Sequence, residues 1–102
     1  PGVPIDATLA AEGEALYRSK GCLACHTVPG GGRSVGPDLA GVMERRSYEW
    51  TRAIIANPDS MLAEDPIARQ LLEEYRIRMT YQRISPYEVR AVLEYLRQYP
   101  ED

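Results

Sequence analysis

The sequence predicts an all-α domain, and three observations predict it. Apolar residues recur at helical spacing in several separate stretches, and no stretch alternates apolar and polar residues as a half-buried strand does. Ser, Asp and Pro stand where those stretches begin, which is where helix caps belong. At 102 residues the chain is one domain's worth, with no repeat or linker dividing it, so residues 1–102 are read as a single domain. A domain this short buries roughly two-thirds of its unfolded surface, so its core is modest. The chain also lacks Phe to fill that core.

Residues 1–5 read as an extended lead-in. Asp6 or Thr8 can cap a helix running to about Lys20, with Leu9, Gly13, Leu16 and Tyr17 on one face. Glu12 and Glu14 lie off that stripe, in solvent. Gly21 can end the helix in the left-handed conformation. A glycine on the apolar face, Gly13, weakens the helix and points to a close approach by another one. Residues 27–37 are rich in turn formers and read as a flexible loop. Their glycines do not make a phosphate loop, because no strand precedes them and no Gly-Lys-Ser/Thr follows.

A short helical turn is expected within 38–46. The next helix starts near Ser47, turns Trp50, Ala53 and Ile54 inward, and stops at Asn57-Pro58. Met61 is placed in a loop after that stop. Asp65-Pro66 opens another helix, with Asp as cap and Pro at the first position. Ile67, Leu71, Leu72 and Tyr75 form its expected buried stripe. Residues 76–84 lose the periodicity and contain Met79. Ser85-Pro86-Tyr87-Glu88 is a capping box that starts the last helix. Val89, Val92, Leu93 and Leu96 make its apolar face, Tyr95 sits at the edge, and Tyr99-Pro100 closes it.

The chemistry resides in Cys22-Leu23-Ala24-Cys25-His26. This spacing suits covalent attachment of a c-type haem. Each thiol can add to one haem vinyl group, and the adjacent imidazole can bind the iron. Haem would also act as the large apolar filler that the core lacks. A structural zinc site wants four ligands, and the chain offers two Cys and a single His. A thioredoxin-like pair would follow a strand in a mixed sheet, and no strand is read here. Both cysteines lie inside the motif, so they cannot staple distant parts of the chain.

With one His, ligation by a second imidazole of the same chain is excluded. The sixth ligand is then Met, Lys, water, a weak oxygen donor or nothing. Met43 falls in a short helical stretch and reads as a core gap-filler. Met61 and Met79 both stay open, with Met79 preferred because an irregular segment can cross the far face of a haem.

The formal net charge is −3, from 12 Lys+Arg and 15 Asp+Glu, with no basic stripe, so nucleic acid is excluded as a partner. No apolar run reaches the length of a membrane span. Pro1-Gly2-Val3-Pro4 lacks the charged start and apolar core of a signal peptide. If haem is attached, export is implied, and the sequence reads as a mature or trimmed form.

Beyond the motif, the chain resembles class I c-type cytochromes, specifically the small bacterial monohaem domains. The similarity runs from Glu12 to Gln98 in the family's order. Gly13 and Tyr17 precede the Cys-His motif. Gly36-Pro37-Asp38-Leu39 follows it, then the Trp50 helix, Met79, and a closing helix with Tyr95 and Leu96.

The resemblance implies about four to five helices around one covalent haem c, with the first and last helices crossing where Gly13 and Tyr17 meet Tyr95 and Leu96. It implies thioethers at Cys22 and Cys25, an iron bond at His26, and a Pro37 carbonyl that accepts from that imidazole. Leu39, Trp50 and Ile54 would line the pocket, with Tyr48 or Trp50 near a propionate, and Met79 would be the second metal ligand. The sequence departs from the family in two ways: Thr80 follows Met79 where Pro is usual, and 58–78 is long and helical.

The implied function is one-electron transfer between redox proteins that dock transiently, in the periplasm or another extracytoplasmic space. The chain is either a free carrier or the electron-entry domain of a larger, membrane-bound oxidase or reductase. The alternative is a haem-based sensor or peroxidase-like domain, which needs the sixth position open or labile.

Overall fold

Helix α1 (Ala7–Ser19) and helix α6 (Pro86–Leu96) cross, and theirs is the most extensive contact between elements in the computed structural model, which describes residues 3–100. Between them run a 3-10 turn (Cys22–Ala24), α2 (Val42–Arg45), α3 (Tyr48–Ala56), α4 (Pro58–Glu64) and α5 (Pro66–Tyr75). No strand occurs among the described residues. The fold class is therefore all-α, with six α-helices among the described residues where four to five were expected.

Each long helix starts where its side chains dictate. The Asp6 carboxylate accepts from Leu9 N–H at 3.0 Å to cap α1. Ser47 caps α3 through Trp50 N–H at 3.0 Å. At α6 the capping box is complete: Ser85 Oγ accepts from Glu88 N–H at 3.2 Å, and the Glu88 carboxylate accepts from Ser85 N–H at 2.8 Å.

The α1–α6 crossing explains Gly13. A Cβ there would collide with the Ala91 carbonyl and come within 3.0 Å of Tyr95 Cβ, so the closest approach is to the Ala91 backbone. Tyr17 and Tyr95 pack with ring centroids 5.4 Å apart, and Tyr95 packs edge-on against Tyr99 at 5.3 Å. Around them Val42, Ile84, Val89, Val92, Leu93 and Leu96 complete the core. Tyr95, expected at the edge of its stripe, is only 3% exposed.

Three expectations need correction. Asn57-Pro58 ends α3 but also begins α4: Asn57 is the last cap of one helix and the first of the next, with Pro58 at the first position. Met61 therefore sits on a helix rather than in a loop. Ile67, assigned to the buried stripe of α5, is 38% exposed, and Ala68 takes the buried position at 1%. The start of the extended lead-in, Pro1 and Gly2, lies outside the described residues, and Val3 to Ile5 carry no helix.

Candidate metal and cofactor site

The site begins where α1 ends. Gly21 takes φ 82°, a left-handed turn that glycine adopts without steric cost, and the chain then curls into the 3-10 turn. His26 N–H donates to the Cys22 carbonyl at 2.9 Å, and Cys25 N–H to the same oxygen at 3.3 Å. This curl sets Cys22, Cys25 and His26 on one wall of a mainly apolar cavity of about 910 Å³. Neither thiol is in a disulfide. Burial pushes the Cys22 thiol up from its ordinary value.

His26 Nδ1 lies 2.8 Å from the Pro37 carbonyl. A carbonyl can only accept, so Nδ1 carries the proton and Nε2 is left as the basic nitrogen. That bond fixes both tautomer and ring orientation. The chain passes close to the imidazole just before Pro37. A Cβ on Gly36 would lie 2.8 Å from His26 Cε1 and 3.0 Å from Nδ1, so a side chain has no room there. Gly36 N–H donates to the Cys25 carbonyl at 2.6 Å.

The loop expected to be flexible is tied down by side chains. The Asp38 carboxylate accepts from Gly30 N–H at 2.9 Å, Gly32 N–H at 3.0 Å and Ala40 N–H at 3.0 Å. These N–H groups, Ala40's foremost, hold its carboxyl below the usual carboxylate range, with Arg45 adding to the effect. Tyr17 Oη donates to the Thr27 carbonyl at 2.7 Å, joining the loop to α1. Burial raises the Tyr17 phenol well above its ordinary value, so it remains a donor.

The opposite walls come from the rest of the chain. Pro37 and Leu39 line the cavity with the proximal loop, and Trp50, Ile54 and Ile55 line it from α3. Leu62 of α4 and Leu71, Leu72 and Tyr75 of α5 continue the apolar wall. Residues 77–80 and Gln82 close it. Met79 is in this lining, whereas Met43 and Met61 are not. The structure thus brings Cys22, Cys25, His26, Pro37, Leu39, Trp50, Ile54 and Met79 to one cavity.

Tyr48 stays outside. It is 42% exposed and contributes nothing to the lining. Trp50 lines the cavity, but its indole N–H donates to Asp65 Oδ2 at 2.8 Å and so is already engaged. That bond, ahead of the one from Ala68 N–H, lowers the Asp65 carboxyl. Sequence reasoning missed four lining arginines, Arg33, Arg45, Arg46 and Arg78, which face the cavity alongside a single acidic residue, Asp38. Basic side chains scattered through the sequence give no signal that folding gathers them. Asp38 had a signal, since Asp after Gly-Pro readily accepts nearby backbone N–H groups.

Two adjacent thiols, an imidazole with one basic nitrogen, a thioether and an apolar cavity make a donor set that fits haem c. No group of three or more His, Cys, Asp or Glu suited to a bare metal ion occurs among the described residues. The fold and the site together define a small monohaem protein of the c type.

The chain belongs to the cytochrome c family: residues 10–100 match the family model described as Cytochrome c. It is similar to a cytochrome c from Rhodothermus marinus at 40% identity, covering 96% of this chain and 82% of that one, with a TM-score of 0.88. An engineered form of the Rhodothermus marinus cytochrome c superposes with a TM-score of 0.90 at 38% identity, over 100% of this chain and 86% of that one. The cytochrome c domain of a Pseudomonas putida protein is 40% identical, with 84% and 85% coverage and a TM-score of 0.73. No curated protein matches the sequence.

Membership of class I c-type cytochromes implies covalently bound haem c and a role in electron transfer. Domains of this family are typically extracytoplasmic. No helix of the described residues is long and apolar enough to cross a membrane.

Proposed function

We propose that the chain is a one-electron carrier in which Cys22 and Cys25 would hold a covalent haem and His26 and Met79 would bind its iron. The observation that carries this reading is the cavity lining: it contains the Cys-His wall and, of the three methionines, only Met79. Bound haem c supplies the Fe(III)/Fe(II) couple.

The protein's residues do the rest. Cys22 and Cys25 would tether the group, and the Pro37 carbonyl, accepting a hydrogen bond from His26 Nδ1–H, fixes the ring's orientation and leaves Nε2 for the iron. The apolar side chains of α3, α4 and α5 keep water out, and burial of that kind raises a reduction potential, as does a thioether ligand. With His26 and Met79 both bound, the iron would have no position open to substrate. Arg33, Arg45, Arg46 and Arg78, which line the cavity, would offer cationic partners to the carboxylates of a bound haem.

The carrier serves transiently docked redox proteins in an extracytoplasmic, respiratory setting, free or as the electron-entry domain of a larger oxidase or reductase. Redox encounters are weak and brief, so a small docking surface suffices.

The test is the absorption spectrum of the purified protein, oxidised and reduced, with a pyridine haemochrome on the same sample. Covalent haem, one per chain, and the long-wavelength sulfur-to-iron band of the ferric form are expected. Covalent haem without that band would shift the reading to a small-ligand sensor or peroxidase-like domain. One observation favours that second reading: Met79 lies on a segment without helix, so its release need not unravel an element.

A further inference from the structure

The segment carrying Met79 is held in an unusual way. Among the described residues, 77–84 exchange no backbone–backbone hydrogen bonds. Two non-glycine residues take the left-handed region, Arg76 at φ 68° just before the segment and Arg83 at φ 56° near its end, one on each side of Met79. Side chains with a Cβ adopt that region at a cost, and such conformations persist only where the surroundings impose them.

Side chains supply what the backbone does not. Lys20 Nζ donates to the Arg83 carbonyl at 2.9 Å and lies 3.8 Å from the Glu88 carboxylate, fixing the end of the segment to α1. Tyr81 Oη donates to the Ile84 carbonyl at 3.2 Å. Arg78 pairs with Asp59 of α4 at 3.5 Å, an exposed contact of little strength. At the residue after Met79, the hold comes from one group. Gln82 Nε2 donates to the Thr80 carbonyl at 3.0 Å and to Thr80 Oγ1 at 2.8 Å.

Gln82 fits beside the turn on the other side of the cavity. It lines the wall beside Met79, and its Oε1 would lie 3.1 Å from a Cβ built on Gly21, the residue immediately before Cys22. The glycine leaves the space that the amide fills. The turn that starts the Cys-His motif and the segment that carries the thioether therefore lie side by side at the Gln82 amide.

We propose that Gln82 is a positioning residue for Met79: its amide clips Thr80, and the clip holds the thioether toward the iron. Thr80 has no ring to restrain its own backbone, so the clip does by hydrogen bonds what a rigid residue would do covalently. The inference rests on Met79 as the distal ligand.

The test uses the haem-loaded protein and compares wild type with Gln82→Leu, Thr80→Val, Met79→Ala and Met61→Ala. Two readouts are taken, the ferric sulfur-to-iron band and the affinity of added imidazole for the ferric iron. Imidazole must displace the thioether, so its affinity reports how firmly Met79 is held.

Gln82→Leu is expected to tighten imidazole binding roughly tenfold, equivalent to about 1.4 kcal/mol, and to weaken the band. Thr80→Val, which loses one of the two bonds, is expected to tighten it about threefold, in keeping with one hydrogen bond of modest net strength. A Gln82→Leu protein with wild-type imidazole affinity overturns the proposal while leaving Met79 as ligand. A wild type without the band, or loss of the band in Met61→Ala with retention in Met79→Ala, overturns both. If Gln82→Leu does not fold, Thr80→Val decides on the same scale, and unchanged affinity there refutes the clip.

Discussion

The two walls of the cavity are built on opposite plans. The wall bearing Cys22, Cys25 and His26 is fixed redundantly: Asp38 gathers three backbone N–H groups, Gly36 abuts the imidazole, Pro37 accepts from it, and Tyr17 ties the loop to α1. The segment 77–84 bearing Met79 has no backbone ladder and few side-chain anchors. A ligand held by hydrogen bonds and close packing keeps its orientation toward a bound metal. The other ligand can be held more lightly, since its loss alters function without releasing the cofactor.

The sharpest way to break this contrast is to remove the covalent tether. Cys22→Ser with Cys25→Ser is expected to abolish covalent haem altogether, read as loss of pigment from the chain after acidic solvent extraction. Covalent pigment surviving in that double variant would mean that the Cys-His wall is not the attachment site.

On the distal wall the expected effect is large but not total. Met79→Ala should lower the reduction potential by something on the order of 0.2 V, within the range of about 0.8 V that axial ligands control. It should also open the ferrous iron to carbon monoxide, followed by absorbance. Met61→Ala should leave both properties alone, since Met61 is on α4 and outside the cavity lining. The reverse pattern would transfer the distal role to Met61.

Both walls stand on the α1–α6 crossing, and Gly13 tests that foundation. Alanine there gains about 1 kcal/mol of helix propensity. It must also push against the Ala91 carbonyl, which belongs to a helix backbone and cannot step aside. Overpacking of that kind costs typically 1–3 kcal/mol and sometimes more. Against a helix backbone the upper end applies, so a net loss of about 2 kcal/mol is expected in denaturant unfolding of the haem-loaded protein. A Gly13→Ala protein as stable as wild type would show that the helices can separate slightly.

Much of this was legible in the sequence, for local reasons. Caps at Asp6, Ser47, Asp65 and Ser85 act within three residues, so their patterns can be read without the fold. Gly13 announced a close approach because glycine on an apolar stripe has no local benefit. What escaped depends on contacts distant in sequence or on one residue serving twice. Asn57 caps the end of α3 and the start of α4, so a stop signal concealed a start signal. Trp50 spends its N–H on Asp65, fifteen residues on, which no spacing rule foretells. The four lining arginines meet only when the walls close.

The smallest expected effect probes what makes the proximal wall rigid. In the folded protein the Asp38 carboxyl is held below its ordinary value, mainly by the N–H groups of Ala40, Gly30 and Gly32. A carboxyl lowered on folding stabilises the fold above its unfolded value, and the contribution is lost as pH falls through the lower folded value. Asn at this position keeps one accepting oxygen but turns an amide N–H₂ toward a backbone donor. Asp38→Asn is therefore expected to cost about 1–2 kcal/mol near neutral pH, the scale of one hydrogen bond to a charged group that is partly exposed. The deficit should shrink as the pH is lowered and vanish once wild-type Asp38 is itself protonated. The check is denaturant unfolding of both proteins at a series of pH values. A pH-independent deficit would assign Asp38 a packing role only, and would place the rigidity of the proximal wall in Pro37, Gly36 and Tyr17.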